Sequence, residues 1–379
     1  MKTSSLRKGA MSNNGPWRQR IDQEFQLFEK AIQSPADCQT ELLLSIIRKN
    51  EGTAYGKEHQ FAEIKSVEDY QRSVPVVEYN EISPRIDEML AGAENVLFSG
   101  KPVFFAKTSG TTGKPKHIPY PQEILSEYLA FFSPLWGKLE REFPGTLENG
   151  FCISGKSKEE LTSAGVVVGQ ATGFVRRLFP GLPFLACAPE PVFEETNYDM
   201  RYYGLLRSAL SRPLSVLASL NPSTLLTFFK EADRFAVPLA KDLAEGTCSH
   251  GPAGTEKLFV DAPEFLTRNL EAAERLRASV EKKGRFVASD VWPTLRVVLS
   301  WQTGGASHYL KELQSRCPRS ELRPFVSGSS EAALLTPFDS GTGGVPAIRS
   351  TFYEFVSEDD DPKRGPYHKI SELESERAT

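Results

Sequence analysis

Between Thr108 and Gly113 the chain places three threonines, two glycines and one serine, flanked by Lys107, Lys114 and Lys116. Glycines let backbone N–H groups converge, hydroxyls donate and a lysine adds a point charge, so Ser109, Gly110, Thr111, Thr112, Gly113 and Lys116 can cradle phosphate oxygens. The same residue types also build a polar hairpin turn that holds no ligand, and the residues alone leave both readings open. Two better-known patterns fail. In GxxxxGK[ST], Pro115 would stand where a magnesium-binding hydroxyl must follow Lys114, and Thr108 where the first glycine belongs. The KTS at Lys107–Ser109 lacks the SxxK and SDN partners that a KTG triad requires.

A second constellation is VSGSSEAALLTP, Val326 to Pro337. Two hydroxyls beside one carboxylate suit Mg²⁺ held on phosphates, because magnesium favours one or two carboxylates plus substrate oxygens, and Glu331 would be the ligand. The alternative is a helix start, with Ser329 or Ser330 as cap and Glu331 in the first turn. A third is SWQTGGASHYL, Ser300 to Leu310, where Gly304 and Gly305 let a flat ring approach the backbone or serve only as a strand-to-helix turn. His308 reads as a surface or capping residue. The other four histidines show no metal-binding pairing, and Glu358–Asp361 reads as a solvated turn.

These motifs sit in a chain of 379 residues, 40% hydrophobic and 25% charged. Both fractions are near globular averages and support a sizeable packed core. A net charge of −4 argues against a nucleic-acid partner, whose footprint is usually basic. Five scattered cysteines with no CxxC pair suggest neither disulfides nor zinc and suit a reducing cytoplasm. No segment has the ~18 apolar residues of a membrane helix, so a soluble protein with no membrane partner is expected. Residues 1–16 carry no apolar run and read as a disordered tail.

The motifs need elements to aim them. Helical periodicity predicts helices over Arg18–Lys49, Gln122–Glu142, Tyr202–Leu210, Ser223–Ala240 (capped by Asn221 or Ser223) and Ala262–Lys283. Pro102–Ala106, Leu295–Trp301 and Ile348–Val356 read as strands. Strands alternating with helices point to an α/β architecture.

TSGTTGKPK, then TGGA, then SGSSE is the order in which adenylate-forming enzymes present their phosphate, adenine and magnesium loops. More narrowly, the chain resembles the auxin-responsive-promoter (Gretchen Hagen) family of acyl-acid amido synthetases. The resemblance extends to Thr53–Met89, Tyr202–Leu226, Val291–Trp301 and Ser350–Val356, and covers most of residues 17–373. It implies the large N-terminal domain of an adenylate-forming enzyme, an α/β body of mixed β-sheets flanked by helices. It implies ATP and Mg²⁺ as cofactors and, as substrates, a small carboxylic acid and an amino acid or other amine. It places Ser109–Gly113 and Lys116 on the β- and γ-phosphates, Ser330 on the α-phosphate, Glu331 on magnesium, and Gly304, Gly305 and Ala306 along the adenine.

Two departures follow from the same resemblance. Ser327 stands where the family usually carries a ring that stacks on adenine, so either another ring such as Phe325 substitutes or nucleotide affinity is reduced. The chain also stops at Thr379, where the family would continue into a Tyr-Arg-x-Gly-Asp motif whose Asp holds the ribose. The expectation is therefore a domain over 17–373, a truncated end over 374–379, no C-terminal lid and impaired catalysis. The rival reading is a non-catalytic relative that binds nucleotide weakly.

Overall fold

The structure is a computed structural model that describes residues 16–108, 115–179, 182, 184–338, 341 and 343–373. The expected tail (Pro16 apart), the expected end at 374–379 and the glycine–hydroxyl run Ser109–Gly113 lie outside the described residues. In chain order the strands are β1 (Phe104–Lys107), β2 (His117–Tyr120), β3 (Gly150–Cys152), β4 (Glu160–Leu161), β5 (Val167–Gly169) and β6 (Val216–Ala218), followed by β7 (Val297–Ser300), β8 (Glu321–Pro324), β9 (Ser327–Gly328), β10 (Ala333–Thr336) and β11 (Val345–Pro346). They form sheets in the orders β2-β1-β5-β4, β3-β6-β7-β8 and β11-β10-β9.

The β3-β6-β7-β8 sheet is parallel throughout. Parallel strands covered on both faces need apolar residues at successive positions, which is what the run around β7 supplies. Phe151, Leu217 and Val298 point to one side, into a core built by helices Tyr198–Leu210, Pro222–Arg234, Ala236–Glu245 and Leu270–Lys283. Cys152, Val216, Ala218, Val297 and Leu299 point to the other, against helices Ile124–Glu142 and Ala171–Leu178. The α/β architecture with mixed sheets flanked by helices is therefore the one expected.

Several boundaries differ, each for a local reason. The single helix expected over Arg18–Lys49 is two, Pro16–Ala31 and Pro35–Asn50. Pro35 disfavours the helical region for the residue before it. Ser34 accordingly sits at φ −139° and ψ 66°. The helix expected over Ser223–Ala240 also divides, at Phe235. Pro238 lacks an N–H and its ring would strike the Arg234 carbonyl in a continuous helix. Asn221 is the cap, its side chain accepting from the Ser223 N–H. The helix expected from Ala262 starts only at Leu270, behind the Asn269 side chain, which accepts from the Ala272 N–H.

Ile348–Val356 is not a strand. The Gln39 side chain takes its backbone groups, donating to the carbonyls of Ile348 (2.7 Å) and Thr351 (2.8 Å) and accepting from the Tyr353 N–H (2.8 Å). Only Phe355 makes a bridge, with His368.

Candidate active site

The carboxyl ends of all four parallel strands open on one cavity of about 830 Å³, lined by Ile153 and Ser154 after β3, Leu220 after β6, Trp301 after β7, and Phe325 and Val326 after β8. Crevices at the carboxyl ends of parallel strands are where α/β folds bind ligands. Helix Ile124–Glu142 contributes Leu129, Phe132 and Trp136 to an apolar interior, and Ile21 comes from the first helix. Trp136 stacks on Phe184 with centroids 4.0 Å apart. The Trp301 indole donates to the Val326 carbonyl at 2.9 Å, which fixes that ring in the wall.

The rim is polar and is made by two hairpins. In the first, β1 and β2 pair antiparallel from Phe104–Tyr120 to Lys107–His117. Its open end is tied by the Thr108 N–H donating to the Lys116 carbonyl (3.0 Å) and the Lys116 N–H donating to the Thr108 hydroxyl (3.3 Å). Thr108, Pro115 and Lys116 all line the cavity. The expected phosphate-binding residues Ser109, Gly110, Thr111, Thr112 and Gly113 belong to the connection between these anchored ends and lie outside the described residues.

The second hairpin joins β9 to β10 and carries Ser329, Ser330 and Glu331 along the cavity. No helix starts there. The Ser329 hydroxyl accepts from the Glu331 (3.2 Å) and Ala332 (3.3 Å) N–H groups, and the Ser329 N–H donates to the Ala332 carbonyl (2.9 Å). The alternative of a helix cap is corrected by this geometry: the serine closes a tight turn between two strands, leaving the Glu331 side chain exposed on the rim.

The two described rim lysines differ. Lys107 pairs with Glu160 (3.0 Å) and approaches Glu159 (3.7 Å). Its ammonium is held above the usual lysine range by its hydrogen bond to Glu160, against a smaller opposing effect of burial. Lys116 makes no ion pair among the described residues and lies 5.0 Å above the Tyr79 ring. The structure thus brings Lys116, Ser330 and Glu331 to one cavity. Gly304, Gly305 and Ala306 form a 3₁₀ turn after Trp301, with both glycines exposed, and none of the three lines the cavity. Gly304 takes φ +58°. That left-handed conformation is one glycine adopts at little cost. Ser327 is half-buried in β9, whereas Phe325 lines the cavity wall.

The donor set fits magnesium. Glu331 offers a carboxylate without an ion pair among the described residues, and Ser330 lies beside it. No group of three His, Cys, Asp or Glu side chains that could hold a metal occurs among the described residues. One carboxylate on an open rim suits a cation whose remaining ligands are substrate oxygens and water.

The pattern of the GH3 family N-terminal domain matches residues 24–322. The chain belongs to the GH3 family. Among its curated relatives are the jasmonoyl–L-amino acid synthetase JAR6 of Nicotiana attenuata, 24% identical over 82% of this chain and 56% of the relative, and the probable indole-3-acetic acid-amido synthetase GH3.12 of Oryza sativa subsp. japonica, 28% identical over 78% of this chain and 51% of the relative. The chain thus spans about half the length of the curated relatives it matches. Among solved structures, GH3.15 acyl acid amido synthetase superposes with a TM-score of 0.77 over 92% of this chain and 63% of that one, at 20% identity, which shows a shared fold.

The sequence pointed to rim residues and, of the walls, to Phe325 alone. Trp301 lay in a quoted motif, directly after an apolar run and before two glycines, which was a usable signal. Tyr128 and Trp136 carried none, because an aromatic at helical spacing looks the same whether it faces a core or a cavity.

Proposed function

We propose that the protein activates a carboxylic acid with ATP and passes the acyl group to an amine, typically an amino acid. The observation that carries this reading is the single cavity in which Lys116, Ser330 and Glu331 share a polar rim above an apolar interior. Such an interior takes an apolar acyl body while its carboxylate stays at the rim. GH3 relatives named for jasmonate and indole-3-acetic acid, and the GH3.15 structure in complex with 2,4-DB, support acids of that kind.

In the first step a carboxylate oxygen attacks the α-phosphorus of ATP, and the bond to the bridging oxygen breaks, releasing pyrophosphate. In the second, the amine nitrogen attacks the acyl carbon, AMP leaves with the bonding electrons, and the amine proton passes to solvent. Little covalent chemistry is asked of the protein, so positioning and charge neutralisation dominate. Lys116 and Ser109–Gly113 would hold the β- and γ-phosphates and Ser330 the α-phosphate, while Gly304–Ala306, which do not line the cavity, would meet the adenine only beyond its rim. Glu331 would hold Mg²⁺, whose charge offsets that of the phosphates. Five free cysteines suit a reducing compartment and support a cytoplasmic reaction. No helix among the described residues is long and apolar enough to cross a membrane.

The test is acid-dependent exchange between ATP and labelled pyrophosphate, with mass spectrometry for amides across a panel of apolar acids and amino acids. Acid-dependent exchange is expected. A chain that binds no ATP–Mg²⁺ at all would overturn the reading. A second reading, nucleotide binding without turnover, is favoured by Ser327 at the position where an adenine-stacking ring is usual. Saturable ATP binding with no exchange for any acid would establish it.

A further inference from the structure

Resting on that reading of the rim, we infer that Tyr120 and Tyr128 are positioning residues, forming a hydrogen-bonded relay that sets the Ser329–Glu331 turn against the β1–β2 hairpin. The Tyr128 hydroxyl donates to the Tyr120 oxygen at 3.0 Å, and the Tyr120 hydroxyl donates to the Ser330 carbonyl at 3.0 Å. Tyr120 is the last residue of β2, the strand that leaves the expected phosphate loop. Tyr128 lies on helix Ile124–Glu142. One chain of hydroxyls therefore connects the two rim hairpins and the helix that lines the cavity.

The turn needs such a tie. Its other hydrogen bonds among the described residues, those made by Ser329, are internal to Ser329–Ala332 and fix its shape rather than its place. The hairpin is irregular, its register shifting between Ala333 and Leu335. Gly328 permits the close return of the chain, since a Cβ there would come within 2.9 Å of the Ala332 carbonyl oxygen. A second, smaller crevice of about 130 Å³ also runs along the turn, lined by Glu127, Ser350 and Thr351; the Thr351 hydroxyl donates to the Ala333 carbonyl (2.7 Å) just after the turn, which leaves Ser330 itself to Tyr120. Tyr120 supplies the external contact from a fixed place: it is 3% exposed, its ring 5.7 Å from Phe104 and 5.8 Å from Phe174. Burial pushes the Tyr128 hydroxyl up to about 12 and raises that of Tyr120 further, so both remain protonated donors at any physiological pH.

Holding the Ser330 carbonyl fixes where the adjoining Glu331 carboxylate and Ser330 hydroxyl point. Losing the relay should therefore harm the magnesium-dependent part of nucleotide binding and spare the rest. The experiment is ATP titration by calorimetry, in Mg²⁺ and in EDTA, on the full chain and on Tyr120→Phe, Tyr128→Phe and the double variant, with melting temperatures alongside. Tyr120→Phe should weaken ATP binding in Mg²⁺ about fivefold, the worth of one hydrogen bond, and change it less than about twofold in EDTA. Tyr128→Phe should act in the same direction more weakly, and the double variant should match Tyr120→Phe, because the two hydroxyls act in series. Equal losses with and without Mg²⁺, no loss, or additive losses would overturn the relay. If Tyr120→Phe does not fold, Tyr128→Phe decides alone: a magnesium-specific loss supports the relay and an unchanged affinity refutes it. A wild-type chain that binds no ATP would overturn the functional reading and the relay with it. Unaltered binding by Tyr120→Phe beside a normal wild type removes the relay alone.

Discussion

Of the described rim lysines, Lys116 is the one left for an anionic ligand, since Lys107 is already paired with Glu160. Lys116→Ala should weaken ATP–Mg²⁺ binding by about 1.5–3 kcal/mol, the scale of a hydrogen bond to a charged group. Its contact with Tyr79 is half-exposed and worth only about 0.5–1 kcal/mol, so stability should barely move. Calorimetry giving the same affinity for both proteins would take Lys116 out of the site. Glu331→Gln keeps shape and drops charge. It should cost ATP affinity in Mg²⁺ and little in EDTA, and because Glu331 starts no helix, the melting temperature should not fall. An equal loss in EDTA would end its role as metal ligand. These candidates could be named from the sequence because their chemistry is local: hydroxyls, glycines and one carboxylate within a few positions. Tyr120 and Tyr128 were not, because their importance lies in a contact across 210 residues, Tyr120 to Ser330.

At the scale of elements, the sequence carried β1 and β7 but not β3, β6 or β8 beside β7, and it carried the ends of helices poorly. The run around β7 was legible because Val297, Val298 and Leu299 are apolar at successive positions, as a strand buried on both faces requires. Helices Pro16–Ala31 and Pro35–Asn50 merged in the periodic pattern, since a proline that starts a helix and one that ends it look alike until Ser34 is seen out of the helical region. The misread strand at Ile348–Val356 shows the limit more sharply: its β-branched and aromatic residues promise a ladder, yet Gln39, 3% exposed, satisfies its backbone instead. Gln39→Ala would leave the Thr351 carbonyl and the Tyr353 N–H without their partner and the Ile348 carbonyl with only the Cys38 thiol at 3.5 Å, and should cost roughly 2–4 kcal/mol in urea unfolding while ATP affinity stays within about twofold. A cost below about 0.5 kcal/mol would mean that water replaces the side chain without penalty.

For the molecule as a whole, one contribution to stability that is lost at low pH comes from a half-buried junction around Arg176. Arg176, 5% exposed, pairs with Glu190 and with Glu194 (3.2 Å). Burial alone would raise the Glu194 carboxyl, but hydrogen bonds from the Ser157 hydroxyl (2.6 Å) and N–H (2.7 Å), then Lys158 and Arg176, outweigh it and hold the carboxyl below its ordinary 4.5. A carboxyl depressed in the folded state adds stability that is fully present above its unfolded value and disappears as pH falls through the folded one. Melting temperatures recorded between about pH 6 and pH 3 should therefore drop on the acid side, and Glu194→Gln should flatten that drop. Parallel curves for the two proteins would assign the acid sensitivity elsewhere.

The clasp between Gln39 and Ile348 joins positions 309 residues apart, and Phe28 of the first helix stacks on Phe338 at 5.3 Å. On a ribosome adding about 5–20 residues per second, the first two helices emerge roughly 15–60 s before the segment that secures them. For that interval Phe25 and Phe28 have helix Ile124–Glu142 but no Phe338 to meet, and a holding chaperone has a binding surface that the finished protein conceals. Stalling translation before Ile348 should leave this N-terminal pair open to protease, and releasing the stall past Tyr353 should close it.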